Sequence, residues 1–154
     1  MTIAVDELDP SDHAVMAELV ALQRASYQVE ADLIGVRELP PQRETPADLS
    51  GSGERFLGAL EQGHLVGAIG WKRTAESVDI HRLAVHPAAF RRGIATRLLD
   101  ALESLEAGAA CLEVGTGAGN DPALALYERR GYAVVEEREV EPGLTWVRMR
   151  RGLR

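Results

Sequence analysis

Leu83-Ala84-Val85-His86-Pro87, running on through Phe90-Arg91-Arg92-Gly93-Ile94-Ala95-Thr96 to Arg97-Leu98-Leu99, sets the architecture of the chain. A strand ends at a proline, a short loop turns, and a helix opens with two small residues. That helix is predicted from about Arg92 to Leu105, with Ile94, Leu98, Leu99, Leu102 and Leu105 on one apolar face. The first amides of a helix have no partners inside it, and its dipole places partial positive charge at the same end. Gly93 and Ala95 leave that backbone open to an anion such as a diphosphate. Arg91 and Arg92 add formal positive charge beside it. The plainer reading is a strand–loop–helix corner whose arginines serve solubility.

Working outward, Phe56–Leu60, Leu65–Lys72 and Val78–Val85 predict three successive strands, with turns at Gln62-Gly63-His64 and Ala75-Glu76. A first strand is expected at Thr2–Val5. Asp9-Pro10-Ser11-Asp12 supplies cap chemistry for a helix from Val15 to about Leu22, and a second helix is expected over Val29–Ile34. Pro40-Pro41 and Pro46 interrupt the chain after that helix, and Gly51-Ser52-Gly53 reads as a turn. Downstream come a buried strand at Ala110–Val114, a Gly-rich loop, and a helix from Pro122 to Arg130 capped by Gly131. Strands at Tyr132–Glu139 and Thr145–Arg150 complete the pattern, joined by Glu141-Pro142-Gly143. This order predicts an α/β fold: a mixed, mostly antiparallel sheet with helices on both faces, in a single domain spanning 1–154.

Net charge is −7 and Lys72 is the only lysine. Such a surface argues against nucleic-acid binding, which draws on clustered cations and counterion release. It suits a cationic amine somewhat better, although acidity for solubility explains it too. No apolar run approaches the roughly 20 residues of a membrane span. Neither is there a signal-peptide pattern at the N-terminus. Cys111 has no second cysteine to pair with, so a reducing, cytoplasmic setting is expected. The four histidines and one cysteine lack ligand spacing, and no metal is expected.

The Leu83–Thr96 segment resembles motif A of the GNAT family of N-acetyltransferases, whose pattern is Gln/Arg-x-x-Gly-x-Gly/Ala. Arg92-Gly93-Ile94-Ala95 hold its last four positions, and Phe90 stands where the family has Gln or Arg. The resemblance implies acetyl-CoA as acyl donor. Its pyrophosphate would lie against Arg91, Arg92, Gly93, Ile94, Ala95 and Thr96, and its pantetheine arm would pair with the backbone of Leu83, Ala84 and Val85. A second segment, Asn120-Asp121-Pro122-Ala123 with Tyr127-Glu128 and Gly131-Tyr132, is similar to the family's Asn-x-x-Ala-x-x-x-Tyr-Glu-x-x-Gly-Phe/Tyr. It implies that Asn120 contacts the donor and that Tyr127 protonates the departing thiolate. Without the family, Tyr127 reads as an aromatic packed on the sheet.

An amine must lose a proton before or during attack, so a base within reach is needed. Glu113, an acid in the otherwise buried run Cys111-Leu112-Glu113-Val114, comes first, because burial raises a carboxyl pKa. Some family members carry a base in the same Leu-Glu-Val context. Asp79 and His81 are the alternatives, placed by alternation on one strand face with Leu83 and Val85. An edge ion pair or a satisfied histidine is the ordinary reading of each. His64 and His86 fall in loops and read as surface residues.

Two rival functions fit parts of the sequence. Gly115-Thr116-Gly117-Ala118-Gly119 resembles motif I of S-adenosylmethionine-dependent methyltransferases, with Glu136 and Glu137 about 17 residues on. Only about 35 residues follow Gly119, too few for crossover units of about 30 residues each. A non-catalytic acyl-CoA sensor is the other rival, against which Asn120 and Tyr127 count. The resemblance thus implies direct transfer of an acetyl group to a primary amine within a ternary complex. The acceptor would be set by residues 26–52, which include Tyr27, Glu30, Asp32, Arg37, Glu38, Arg43 and Glu44. Glu30 and Asp32 read either as attractors of an ammonium group or as a solvated helix face. A small-molecule or protein amine, the acyl chain length and a homodimer all stay open.

Overall fold

The computed structural model describes residues 2–153, so Met1 and Arg154 of the expected 1–154 domain lie outside the described residues. Strands β1 (Ile3–Leu8), β2 (Arg55–Glu61), β3 (His64–Thr74), β4 (Ser77–Val85), β5 (Cys111–Gly117), β6 (Ala133–Glu141) and β7 (Leu144–Gly152) build one sheet. Their order is β1-β2-β3-β4-β5-β7-β6. β4 and β5 run parallel, and every other neighbouring pair is antiparallel. The helices are α1 (His13–Ile34), α2 (Pro46–Ser50), α3 (Ile94–Leu105) and α4 (Asp121–Arg129). α1 packs Met16, Leu19 and Leu22 with Phe56, Ala68 and Ala84 on one face of the sheet. α3 and α4 pack Leu98, Leu99, Leu102 and Tyr127 with Ile69, Trp71 and Met149 on the other. The mixed, mostly antiparallel sheet with helices on both faces is the predicted fold.

Local departures have physical causes. Where two short helices are predicted, one helix of 22 residues runs from His13 to Ile34. The polar stretch around Gln23 and Ser26 is not a break but part of an inward face, with Gln23 and Tyr27 buried. Pro40 and Pro46 open helical turns rather than ending them, since the first turn has no use for the missing N–H. A reciprocal cap between Thr45 and Asp48 completes α2. Leu105, expected on the apolar face of α3, is 49% exposed.

The Gly-rich run is strand through Gly117, and only Ala118 and Gly119 turn. Gly115, Thr116 and Gly117 continue β5 opposite Arg148, Val147 and Trp146 of β7. A Cβ on Gly115 would collide with Nε1 of Trp146, and one on Gly117 with Cδ1 of Ile34. These glycines admit side chains from β7 and α1, which removes the methyltransferase reading.

β4 carries the feature that makes the site. Its pairing slips at Gly70/Trp71, so that Ile80 faces Trp71, Arg82 faces Gly70, and His81 is the extra residue of a bulge. Val78 and Ile80 before the bulge, and Leu83 and Val85 after it, all pack on the α3 side. Ala84 packs on the α1 side. The single face expected for Asp79, His81, Leu83 and Val85 is therefore broken: Asp79 lies opposite Leu83 and Val85. Pairing of β4 with β5 ends at Ile80 and Val114, and beyond that the strands part.

Candidate active site between the parted strands

The gap holds a cleft of about 500 Å³ floored by β4 and β5 and walled by α1, α4 and the start of α3. A second cavity of about 310 Å³ shares Ile80, His81, Arg82, Val114, Gly115 and Trp146 with it and adds Asp79, Arg138 and Arg148. The first volume falls within the usual range for small-molecule sites, roughly 300–1,000 Å³.

At one end lies the N-terminus of α3. Gly93 is its N-cap, in the left-handed region at φ 72, and no side chain caps the helix. Arg91, at φ 66, is left-handed as well, so the turn approaching the helix is shaped by two such residues. A Cβ built on Gly93 would meet nothing within 4 Å, which leaves the backbone open on that side. Arg91, Gly93, Ile94, Ala95 and Thr96 line the cleft, and this amide-rich, open turn fits a diphosphate. Arg92 does not join them: its guanidinium binds the Glu61 carboxylate, with Nη1 to Oε1 at 3.0 Å. The same bond holds Glu61 below the usual carboxylate range. Phe90, at the position of the departure from motif A, lines the cleft and is 41% exposed.

Along the floor, the amides past the bulge point away from β3 and meet α1. Leu83 N–H donates to the Tyr27 hydroxyl at 3.2 Å, and Val85 N–H donates to Ser26 Oγ at 3.1 Å. The sequence placed Tyr27 in the segment expected to set the acceptor, but it gave no sign that Tyr27 and Ser26, from the polar stretch of α1, bond the amides of β4. Tyr127 is buried in the opposite wall, edge-on to Tyr132 at 5.6 Å between ring centroids. Burial raises its phenol well above the usual range, and Tyr27, Glu30 and Tyr132 add to the effect. It therefore meets any ligand as a protonated O–H. Asn120 caps α4 by accepting from Ala123 N–H and donates from Nδ2 to Thr116 Oγ1 at 3.3 Å.

The three candidate bases part company. Glu113 lines neither cavity; it accepts from Arg150 Nε at 2.8 Å and has Arg148 at 3.9 Å. His81 lines both cavities, and Asp79 lines the second. His81 Nε2 lies 3.1 Å from Asp79 Oδ2, and its Nδ1 lies 3.8 Å from Glu54 Oε2. The Asp79 bond raises the histidine pKa against desolvation, and it lowers that of Asp79. Beneath His81 sits a buried node that the sequence did not signal. Arg82 donates to Glu54 at 2.9 and 2.7 Å, to Glu44 at 2.6 and 3.1 Å, and to Gln23 at 3.1 Å. Among the described residues, no group of three or more His, Cys, Asp or Glu could hold a metal ion. Nor is any helix there long and apolar enough to cross a membrane.

Comparison with known proteins gives concordant findings. Residues 16–132 match the family model described as the acetyltransferase (GNAT) family. The chain is 32% identical over 140 residues to the UPF0157 protein YqkA of Bacillus subtilis (strain 168), covering 91% of this chain and 41% of that protein. It thus spans less than half the length of this relative. It is 35% identical over 121 residues to the N-alpha-acetyltransferase RimI of Mycobacterium tuberculosis, covering 73% of this chain and 75% of RimI. The solved PaiA N-acetyltransferase of Thermoplasma acidophilum, in complex with coenzyme A, superposes with a TM-score of 0.77 at 18% identity, over 99% of each chain. At that identity the likeness speaks for the fold alone.

Proposed function

Since the chain belongs to the GNAT family of acetyltransferases, we propose that it moves the acetyl group of acetyl-CoA to a primary amine by direct transfer in a ternary complex. One observation carries the reading: the uncapped start of α3 opens on a cleft that runs between parted strands to a buried tyrosine. The amine belongs to a small molecule or a protein, and the setting is cytoplasmic, in keeping with the single cysteine.

When bound, the donor supplies an activated acyl group as a thioester. The amides of Ile94, Ala95 and Thr96, with Gly93 and Arg91, would hold its diphosphate, and Asn120, which lines the same cleft, would contact it farther along. The amides of Leu83 and Val85, which donate to Tyr27 and Ser26 in the free protein, would turn to carbonyl oxygens of the donor, including one that gains charge during attack. The amine nitrogen forms the new C–N bond as the C–S bond breaks. His81, oriented by Asp79, takes the proton that the nitrogen loses. Tyr127 presents its O–H to the sulfur that leaves. Glu113, held by Arg150 away from both cavities, becomes the weaker candidate for base.

A thermal-shift titration tests this reading. A ligand at a hundredfold excess over its Kd stabilises the native state by about 2.7 kcal/mol. For a chain of this size that amounts to a Tm rise of about 5–10 °C. Acetyl-CoA should produce the rise and S-adenosylmethionine should not. Ala95→Glu places a carboxylate at the start of α3, where it favours the helix but repels a diphosphate. It should keep the fold and abolish the acetyl-CoA shift. A shift that survives unchanged would move the donor site elsewhere.

A further inference from the structure

Two carboxylates line the two cavities, Glu30 and Asp79. Asp79 has His81 as its partner. Glu30 has no cation among the described residues. Its side chain makes one hydrogen bond there, accepting from the Thr116 hydroxyl at 2.9 Å on Oε1. Elsewhere the chain pairs its shielded carboxylates: Glu44 and Glu54 with Arg82, Glu61 with Arg92, Glu103 with Arg130 and Arg151, Glu113 with Arg150. A partly buried charge without a counterion is costly, and proteins rarely keep one in a cleft without use for it.

Glu30 is also held in place. Thr116 and Asn120 are both buried, and Asn120 Nδ2 donates to the Thr116 oxygen whose proton goes to Glu30. This relay fixes Oε1 and leaves Oε2 without a partner among the described residues. The carboxylate stands in the same space as the two cleft phenols: its charge adds to burial in raising both Tyr27 and Tyr127. A fixed anion with a free oxygen, beside the proposed acid and in the same cleft as His81, is a receptor for a cation.

We propose that Glu30 is the acceptor-binding residue, whose carboxylate takes the ammonium form of the incoming amine and holds it in the cleft, where the nitrogen sheds one proton to solvent before it attacks and a second to His81 as the C–N bond forms. The acceptor is then an amine that is cationic at neutral pH, such as an alkyl amine or peptide N-terminus, and not a neutral aryl amine. This inference rests on the acetyl-transfer reading and adds the determinant of acceptor class.

The test uses the full chain and two measurements. Acetyl-CoA thermal shifts are recorded for the wild type, Glu30→Gln and Thr116→Val. Release of free CoA is then followed with a peptide beginning in alanine, Nα-acetyl-lysine, spermidine, kanamycin and aniline as acceptors. Glu30→Gln keeps an oxygen for Thr116 and loses the charge. Its acetyl-CoA shift should match the wild type, while KM for the best cationic acceptor rises about 30-fold or more and kcat changes little. Any turnover of aniline should be unaffected. Thr116→Val should raise the same KM by about tenfold. Wild-type KM in Glu30→Gln, or no turnover of any cationic acceptor by a wild type that acetyl-CoA stabilises, would overturn the assignment. A wild type that acetyl-CoA does not stabilise would instead bring down the acetyl-transfer reading, and this inference with it.

Discussion

The two ends of the cleft are built in different ways. The α3 end is backbone: one uncapped helix start, a left-handed glycine, and amides supplied by residues adjacent in sequence. The other end, the proposed acceptor end, is made of side chains from elements far apart: Glu30 of α1, Asp79 and His81 of β4, Thr116 of β5 and Trp146 of β7. Backbone amides are the same whatever the residue, so the first end should tolerate a departure such as Phe90. Side chains are interchangeable only at a cost, so the second end needs support from below. The contrast implies that damage under the acceptor end should leave donor binding in place.

Arg82→Met is the harshest way to break that contrast. Burial works against the Arg82 charge, and the bonds it donates to Glu54 and Glu44 more than offset it. Removing the guanidinium leaves Glu54, whose side chain is 1% exposed, without its main counterion. Truncating one side of a buried ion pair costs about 3–5 kcal/mol. Urea unfolding should show a loss of that size. In the fraction that remains folded, acetyl-CoA should still stabilise, because nothing at α3 is touched. A loss below about 1 kcal/mol would mean that the node is solvated, and that the acceptor end does not depend on it.

Next in size is Tyr127→Phe, at the meeting point of the two ends. Loss of a general acid typically costs 10²-fold or more in rate. We expect kcat to fall by about 10²-fold with acetyl-CoA binding retained, measured as CoA release on whichever acceptor the wild type uses. Unchanged turnover would reduce Tyr127 to its packing against Tyr132 and shift the proton at sulfur to another group, with the Tyr27 hydroxyl next in line.

The same contrast explains what is legible in the sequence. The α3 corner can be read there because Gly93, Ala95 and the apolar repeat of Leu98, Leu99 and Leu102 are neighbours in the chain, and local order sets amide geometry. The face expected for Asp79 fails because a bulge is defined by the strand across it, and nothing within Val78–Val85 announces that His81 is an extra residue opposite Gly70/Trp71. Gly115 and Gly117 suggest a loop because glycine breaks strands in isolation. Their reason to exist is Trp146 and Ile34, 31 residues ahead of the first and 83 behind the second. Glu30 falls on the same side of this divide. On a helix it reads either as an attractor of an ammonium group or as a solvated face, and the bond from Thr116, 86 positions away, decides that it faces inward.

The gentlest probe sits where the two ends overlap, at the hydroxyls that α1 lends to β4. Val85 N–H is one of the amides expected to serve the donor, and Ser26 Oγ already accepts from it. If acetyl-CoA offers a carbonyl to that amide, ligand and hydroxyl compete for one donor. Ser26→Ala then removes about 1 kcal/mol from the free protein, the usual net worth of such a bond, and little from the complex. Linkage requires the difference to reappear as affinity: the variant should melt lower alone and bind acetyl-CoA about fivefold more tightly by calorimetry. Weaker binding would show instead that Ser26 itself holds the donor, and that α1 belongs to both ends of the cleft. In that case the division between a backbone end and a side-chain end would have to be drawn beyond Val85, nearer to His81.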